Sequence, residues 1–353
     1  VPVALNRKER FLAACRFQPV DRVPVWIMRQ AGRALPGYRS LRQNHTFLEL
    51  CRTPELAARV SIEPYEVLGV DAVIVFSDIL VVAEAMGLAL DVTDAGPSLA
   101  SLDPGRAGID RLREFDPERE TGYVLEAIRL LVRTLGPEVP VIGFAGAPWT
   151  LACYMLGGAG AANSAHQAKQ MVFAEPALLS SLLEKIARST GRYLAAQIAA
   201  GAAMVQLFDT WAGELGRPEY ERFALPATRL AIAETRAGDV PVALYGRGTA
   251  HLVESMARSG ATVLSLDWRA DLGEARSRLG STLALQGNVD PHVLLGTTEG
   301  IEQAARAAVT KTGGLGHILN LGHGLLPMTP VEHARAFVRA GQQSPVRGRK
   351  QND

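Results

Sequence analysis

Short, continuously apolar, β-rich runs separated by amphipathic helical stretches recur along the whole chain, and few folds accommodate that pattern. The runs are 23–28 (VPVWIM), 72–78 (AVIVFSD), 140–146 (PVIGFAG), 202–209 (AAMVQLFD), 241–246 (PVALYG), 262–268 (TVLSLDW), 283–288 (LALQGN) and 317–324 (HILNLGHG). Most lack the in–out alternation of a half-solvated sheet, so they read as parallel strands covered on both faces. Between them, 54–68, 122–136, 167–200, 218–237, 299–312 and 330–341 carry helical periodicity. Thr53 before Pro54, Pro218 before Glu219 and Thr329 before Pro330 mark helix starts, with proline at a first-turn position where its missing N–H costs nothing. Eight strand–helix repeats predict an α/β fold, a single-domain (β/α)8 TIM barrel over 1–341, with a frayed polar tail at 342–353. A doubly wound open sheet would announce itself by a Gly-rich turn after its first strand, and MRQAGRALPG does not fit that fingerprint. The long connections 33–48 and 79–120 are expected to be extended βα loops that form the active-site cleft.

Composition narrows the class of function. With 48% hydrophobic and 21% charged residues the chain buries a substantial core. The start, with Arg7, Lys8, Glu9 and Arg10, lacks the apolar stretch of a secretory leader, and no later run approaches the ~18 apolar residues of a membrane span, so a cytoplasmic protein with no membrane partner is expected. Cys15, Cys51 and Cys153 are odd in number and far apart, which suits reduced packing thiols. Neither C-x-x-C nor H-E-x-x-H spacing occurs, so no metal site is expected. A net charge of +1 argues against a nucleic-acid partner. Positive charge is nevertheless local: Arg22, Arg29, Arg33, Arg39 and Arg42 face a single acid, Asp21, within 21–42. That cluster is either a solvated loop or one basic concavity for an anionic ligand.

In a barrel the active site lies at the C-terminal ends of the strands. The residues there are Arg29, Asp78, Asp209 and Thr210, Asp267 and Trp268, Gln286 and Asn288, and His323. Asp78 follows AVIVF and Ser77, so its carboxylate sits among apolar neighbours and needs a partner: the adjacent arginines, or a bond to its own loop. Arg29 and Arg33 are four apart; a helical turn after the first strand would aim both guanidinium forks at one anion. Gly32 between them permits close backbone approach. Tyr154 lies in PWTLACYM on a helix that starts at the cavity, where it either packs or contacts ligand. His323 sits between two glycines in a tight turn, and Thr210 serves as a cap or a ligand contact.

Two long segments, PVWIMRQAGR (24–33) and GFAGAPWT (143–150), resemble the signature segments of the uroporphyrinogen decarboxylase family, and FSDIL, FDTWAG, LDW, LQGNVDP and NLGHG follow in the family's order. The resemblance covers nearly the whole chain, from LNRKERF to the HARAFV helix. It implies a carboxy-lyase of haem and porphyrin biosynthesis, generally a homodimer, that removes CO2 from the four acetate side chains of uroporphyrinogen III to give coproporphyrinogen III without a cofactor. It further implies substrate contacts from Arg29, Gln30, Ala31, Gly32 and Arg33, and from Asp78, Tyr154, Thr210 and His323, with Asp78 and Arg29 catalytic. The family often has a larger residue where Ala34 stands and an acid where Gly37 stands, which bears on the rim of the site.

Losing CO2 from an acetate leaves an electron pair that most decarboxylases pass to a cofactor. Here the substrate's own pyrrole, protonated at its α-carbon, is the expected sink. The alternatives are a corrinoid- or cobalamin-dependent methyltransferase of the same barrel superfamily and a non-catalytic tetrapyrrole-binding protein. The first usually binds zinc through H-x-C and a distant Cys, and no cysteine stands two residues after His166, His251 or His317. The second gives no reason for a carboxylate at 78.

Overall fold

The computed structural model describes residues 4–93, 96–158 and 164–346. Its strands are β1 (Val73–Ile74), β2 (Leu90–Thr93), β3 (Gly96–Leu99), β4 (Val141–Gly146), β5 (Met204–Asp209), β6 (Val242–Gly246), β7 (Val263–Leu266), β8 (Ala284–Val289) and β9 (His317–Leu321). Seven form one parallel sheet in the order β1-β4-β5-β6-β7-β8-β9, while β2 and β3 pair antiparallel in the long connection after β1. Strand order follows chain order throughout, with helices between, so the sheet curls progressively in one direction. Nearly every residue of β4 to β9 is buried, which is why these strands read as continuous apolar runs.

The expected first strand, 23–28, is not a regular strand. It pairs through a single parallel bridge, Val25 to Leu319 of β9, with Trp26 N–H donating to Leu319 O (3.2 Å) and Leu319 N–H to Pro24 O (3.0 Å). On its other side Asp71 N–H donates to Val25 O (2.7 Å), just ahead of β1. The ladder is interrupted because Val25 N–H is taken by the Asp71 carboxylate (2.9 Å) and Met28 N–H by the Asn320 side chain (2.8 Å). Asp71 is fully buried and also accepts a two-pronged pair from Arg22 (2.7 and 2.6 Å), with Arg10 at 3.7 Å. A carboxylate can be buried this way because several donors replace the water it loses.

Helix Pro54–Leu68 begins at Pro54 and ends on left-handed Gly69, as the sequence predicts, although Thr53 makes no side-chain cap. The stretch expected as one helix over 167–200 is two, Ser164–Ala174 and Pro176–Ala199, because Pro176 has no N–H to continue the first. The region 218–237 starts at Arg217 and passes through a π turn at Tyr220–Ala224 before Leu225–Thr235. Pro330 itself is the N-cap of Val331–Gln342, without help from Thr329. That helix extends into the expected tail: Gln342 donates to Gly69 O (3.0 Å), and Ser344 and Val346 are buried, so 342–346 is packed. The rest of that tail, 347–353, lies outside the described residues.

The inner face of the sheet is plugged by a buried polar layer. Trp26 Nε1–H donates to Gln286 Oε1 (2.9 Å), and the Gln286 amide donates to Gln206 Oε1 (2.9 Å) and Ser265 Oγ (2.8 Å). All four side chains are at most 1% exposed, so the layer is dry and fixes which face of each strand turns inward. No helix among the described residues is long and apolar enough to cross a membrane.

Candidate active site

The segment after Val25 carries Arg29 on a turn. Gln30 N–H donates to Ile27 O (2.9 Å), and the buried Gln30 side chain accepts from Ile27 N–H (3.1 Å) and donates to Ala72 O (3.0 Å). This brace replaces helical bonding, and Arg29 adopts a left-handed φ of 58°. The helical turn that would align Arg29 with Arg33 is therefore absent; helix begins later, at Pro36. Both arginines are exposed, Ala31 and Gly32 are half-buried, and the nearest atom to a side chain built at Gly32 is Arg29 O at 3.5 Å. Gly32 is thus not required by close approach.

The glycine that matters to Arg29 is Gly324. A Cβ there would lie 2.3 Å from Arg29 Cδ and 2.8 Å from Cγ, so the arginine stem rests flat on the turn that carries His323. Arg29 accordingly has His323 beside it and exerts its charge on Asp78, Tyr154 and Tyr245 as well. It is the hub of the candidate site. The charge of Arg33 registers instead at Tyr38, towards the rim. At that rim Gly37 and Tyr38 N–H donate to Glu63 (2.6 and 2.9 Å), and a Cβ at Gly37 would meet that carboxylate at 2.7 Å. An acid at 37 would displace Glu63, so this departure from the family pattern is accommodated by a local carboxylate from a neighbouring helix.

Asp78 is half-buried at the end of the segment that follows β1. Leu80 N–H donates to its Oδ1 (2.8 Å), and among the described residues it has no ion-pair partner within 4 Å. Burial raises its pKa above the ordinary carboxylate value, opposed by the Leu80 N–H and the charge of Arg29. Both sequence alternatives for Asp78 thus contribute: a loop bond to one oxygen and an arginine near but not in contact. The second oxygen accepts no hydrogen bond from the described residues.

Tyr154 comes from helix Pro148–Gly157 and packs edge-on against Trp211 at 6.2 Å, next to half-buried Thr210. Burial raises the Tyr154 pKa, so it stays a neutral phenol. On the other side, His323 Nδ1 lies 3.2 Å from Tyr245 Oη, which also donates to Gly322 O (3.0 Å). Burial, then the charges of Arg29, Arg247 and Arg269, depress the His323 pKa to about 4, leaving a neutral imidazole near pH 7.

An aromatic row missed by the sequence reading crosses the site: Phe144 on Phe208 (5.6 Å), Phe208 on Tyr245 (5.7 Å) and Tyr245 stacked on His323 (6.1 Å). Taking the last residue of each run as the site residue misplaces the register. In β5 it is Phe208 that joins the row, whereas Asp209 turns to the helix behind and accepts from Thr150 Oγ1 (2.7 Å), which in turn accepts from Trp211 N–H (3.1 Å). Strand alternation, period two, was the available signal. Gln286 belongs to the buried layer, and Asn288 binds the carbonyls of Asp267 (2.8 Å) and Ala270 (2.6 Å). The three cysteines are buried, and no three His, Cys, Asp or Glu side chains gather as metal ligands among the described residues.

The comparison with known proteins decides which family this constellation belongs to. The model of the uroporphyrinogen decarboxylase (URO-D) family matches residues 6–344. The chain belongs to the uroporphyrinogen decarboxylase family. It is 47% identical to uroporphyrinogen decarboxylase of Geobacter metallireducens over 326 residues, covering 92% of this chain and 95% of that protein. The enzyme of the same name from Trichlorobacter lovleyi is 46% identical, with 93% and 96% covered. Among solved structures, a methyltransferase from Methanosarcina mazei superposes with a TM-score of 0.78 at 24% identity, covering 96% of this chain and 98% of that one; at that identity the likeness speaks for the fold.

Proposed function

We propose that this chain is a carboxy-lyase that removes CO2 from the four acetate side chains of uroporphyrinogen III, giving coproporphyrinogen III, with Asp78 and Arg29 at the reacting centre. The observation that carries the assignment of roles is the state of Asp78: a half-buried carboxylate with one oxygen bonded to its own loop and the other without a donor among the described residues. A carboxylate held so is matched to pyrrole N–H groups, which donate and, once a ring is protonated, carry the positive charge that a fixed anion stabilises. Protonation of the pyrrole α-carbon gives an iminium-like ring; the electrons of the breaking C–C bond flow into it as CO2 leaves; a proton on the resulting methylene gives the methyl, and loss of the α-carbon proton restores the neutral pyrrole.

Arg29 lies where it can hold the reacting or neighbouring acetate and deliver a proton through a carboxylic acid or water, its pose fixed by Gly324. Arg33, with Ala31, Gly32 and the backbone of Gln30, extends the anion-binding edge. Tyr154 and Thr210 orient the reacting side chain, and His323, braced through Nδ1 on Tyr245, lies beside Arg29 where a further carboxylate is held. Within the aromatic row, half-buried Phe208 offers an apolar face to a pyrrole ring, with Phe144 and Tyr245 packed behind it.

The reading places this chemistry in the mouth of an eight-stranded barrel, supported by the contacts Val25 makes with β9 on one side and Asp71 on the other. Family resemblance supports a homodimer in the cytoplasm that needs no cofactor. Anaerobic incubation with uroporphyrinogen III, with chromatography of the products, should show stepwise loss of carboxylates. Light scattering should give twice the chain mass. Unchanged substrate after prolonged incubation would remove the assignment.

A further inference from the structure

We propose that Arg247 and Arg269, at the ends of β6 and β7, form a second carboxylate clamp that holds a substrate side chain other than the one reacting. The inference rests on the decarboxylase reading and adds two binding residues to it. Arg247 stands two residues beyond Tyr245, whose hydroxyl meets both Gly322 O (3.0 Å) and His323 Nδ1 (3.2 Å). The backbone of Arg247 is held from behind, since a Cβ on Gly213 would lie 2.3 Å from its carbonyl oxygen. Next to it, Gly248 N–H donates to Asp267 Oδ2 (2.8 Å), and the same carboxylate pairs with the Arg269 guanidinium. Arg269 lies over the Trp268 ring, its Cζ 4.4 Å from the ring centroid. Asp267 is 1% exposed, so one buried acid ties the β6 and β7 rims together and fixes the base of the Arg269 side chain.

Charge decides what this corner takes. The charges of Arg29, Arg247 and Arg269 all bear on His323, and Asp267 pairs with Arg269. Among the described residues neither Arg29 nor Arg247 has a carboxylate within 4 Å. His323 adds no charge near pH 7, being buried and ringed by cations. The uncompensated positive charge at a corner where Arg247 is half-buried and Arg29 and Arg269 are exposed calls for an anion, and planar guanidinium groups favour one with two in-plane oxygens. A carboxylate gripped there anchors the macrocycle while another is removed.

Arg247→Gln, Arg269→Gln and the double variant test this by steady-state decarboxylation of uroporphyrinogen III across a range of salt. Each single change should raise KM about threefold to tenfold with kcat within about twofold, since one charge-assisted contact is lost from a partly solvated site. The double variant should raise KM further and flatten the salt dependence of kcat/KM, and Arg247→Lys should recover part of the loss. Unchanged KM in the double variant, or a fall in kcat at constant KM, would overturn the clamp. A wild-type chain that releases no CO2 would sink the decarboxylase reading instead. The clamp is then judged by fluorescence titration with uroporphyrin, where equal affinity of wild type and double variant defeats it. Thermal melts of every variant show that each is folded; should one fail to fold, the Lys variant at that position takes its place.

Discussion

Two aspartates seven residues apart bracket β1, and they are treated in opposite ways. Asp71, ahead of the strand, is fully buried and saturated: Arg22 grips both oxygens, Val25 N–H and the Gln342 amide add to one of them, and Arg10 stands behind. Asp78, beyond the strand, keeps solvent contact, takes one loop N–H and has no ion pair among the described residues. A saturated carboxylate holds structure; an unsaturated one holds a place for a ligand. The end of the sheet ahead of β1 therefore ties the segment around Val25 to its neighbour, and the opposite end is kept incomplete.

The largest test of that contrast is Asp71→Asn. It strands Arg22 next to a neutral amide inside the protein, and breaking a buried pair in this way costs about 3–5 kcal/mol. Chemical denaturation should show that loss, while the fraction still folded keeps its kcat. Asp78→Asn should do the reverse: kcat falls about 10²–10³-fold, as when a preorganised charge partner is removed, and the melting temperature holds or rises because an unsatisfied acid is gone. Circular dichroism beside a turnover assay separates the two, and near-normal turnover in Asp78→Asn would end the claim about charge. Gly324→Ala ranks next. Its methyl would strike the Arg29 stem and move the guanidinium, lowering kcat/KM about tenfold with little effect on folding.

The remaining tests concern pH. Activity should fall on acidification through a pKa that lies above that of an ordinary aspartate, because ionised Asp78 is required and burial holds its pKa up. Asp209, buried behind the site, titrates near 7 for the same first reason, burial, opposed by its bonds from Thr150. Its folded pKa is raised above the model-compound value of 3.8, so its stabilising contribution is complete below that value and lost as pH rises towards about 7. Buried His317 runs the opposite way: its pKa is depressed to about 4, so its contribution is present above 6.5 and lost as pH falls through 4. The two oppose each other in mildly acidic solution, so the difference curve isolates Asp209. The melting temperature of Asp209→Asn should gain on wild type as pH rises from about 4 to about 7, and a constant gap would contradict the assignment.

How much of this was legible follows from which interactions are local. β4 to β9 were readable because strands buried on both faces must be apolar throughout. The segment 23–28 has the same composition and still forms only a bridge, because its N–H groups go to the side chains of Asp71 and Asn320, far away in sequence. The helical turn that would align Arg29 with Arg33 does not form for a related reason: the Gln30 side chain, reaching Ala72, substitutes for helical bonds. The Asp78 position was visible because a lone acid after five apolar residues needs an explanation. Arg247 and Arg269 were not, since their meeting depends on which strands are neighbours and neither lies in a distinctive motif.

The polar layer of Trp26, Gln206, Ser265 and Gln286 puts a buried floor on the inner face of the curled sheet, and in the proposed barrel that floor closes one end. Whatever enters leaves by the same door. A macrocycle seated over that floor also stands in the way of the gas it releases and of the protons it consumes, so traffic through the mouth, between one carboxylate and the next, becomes part of the catalytic cycle.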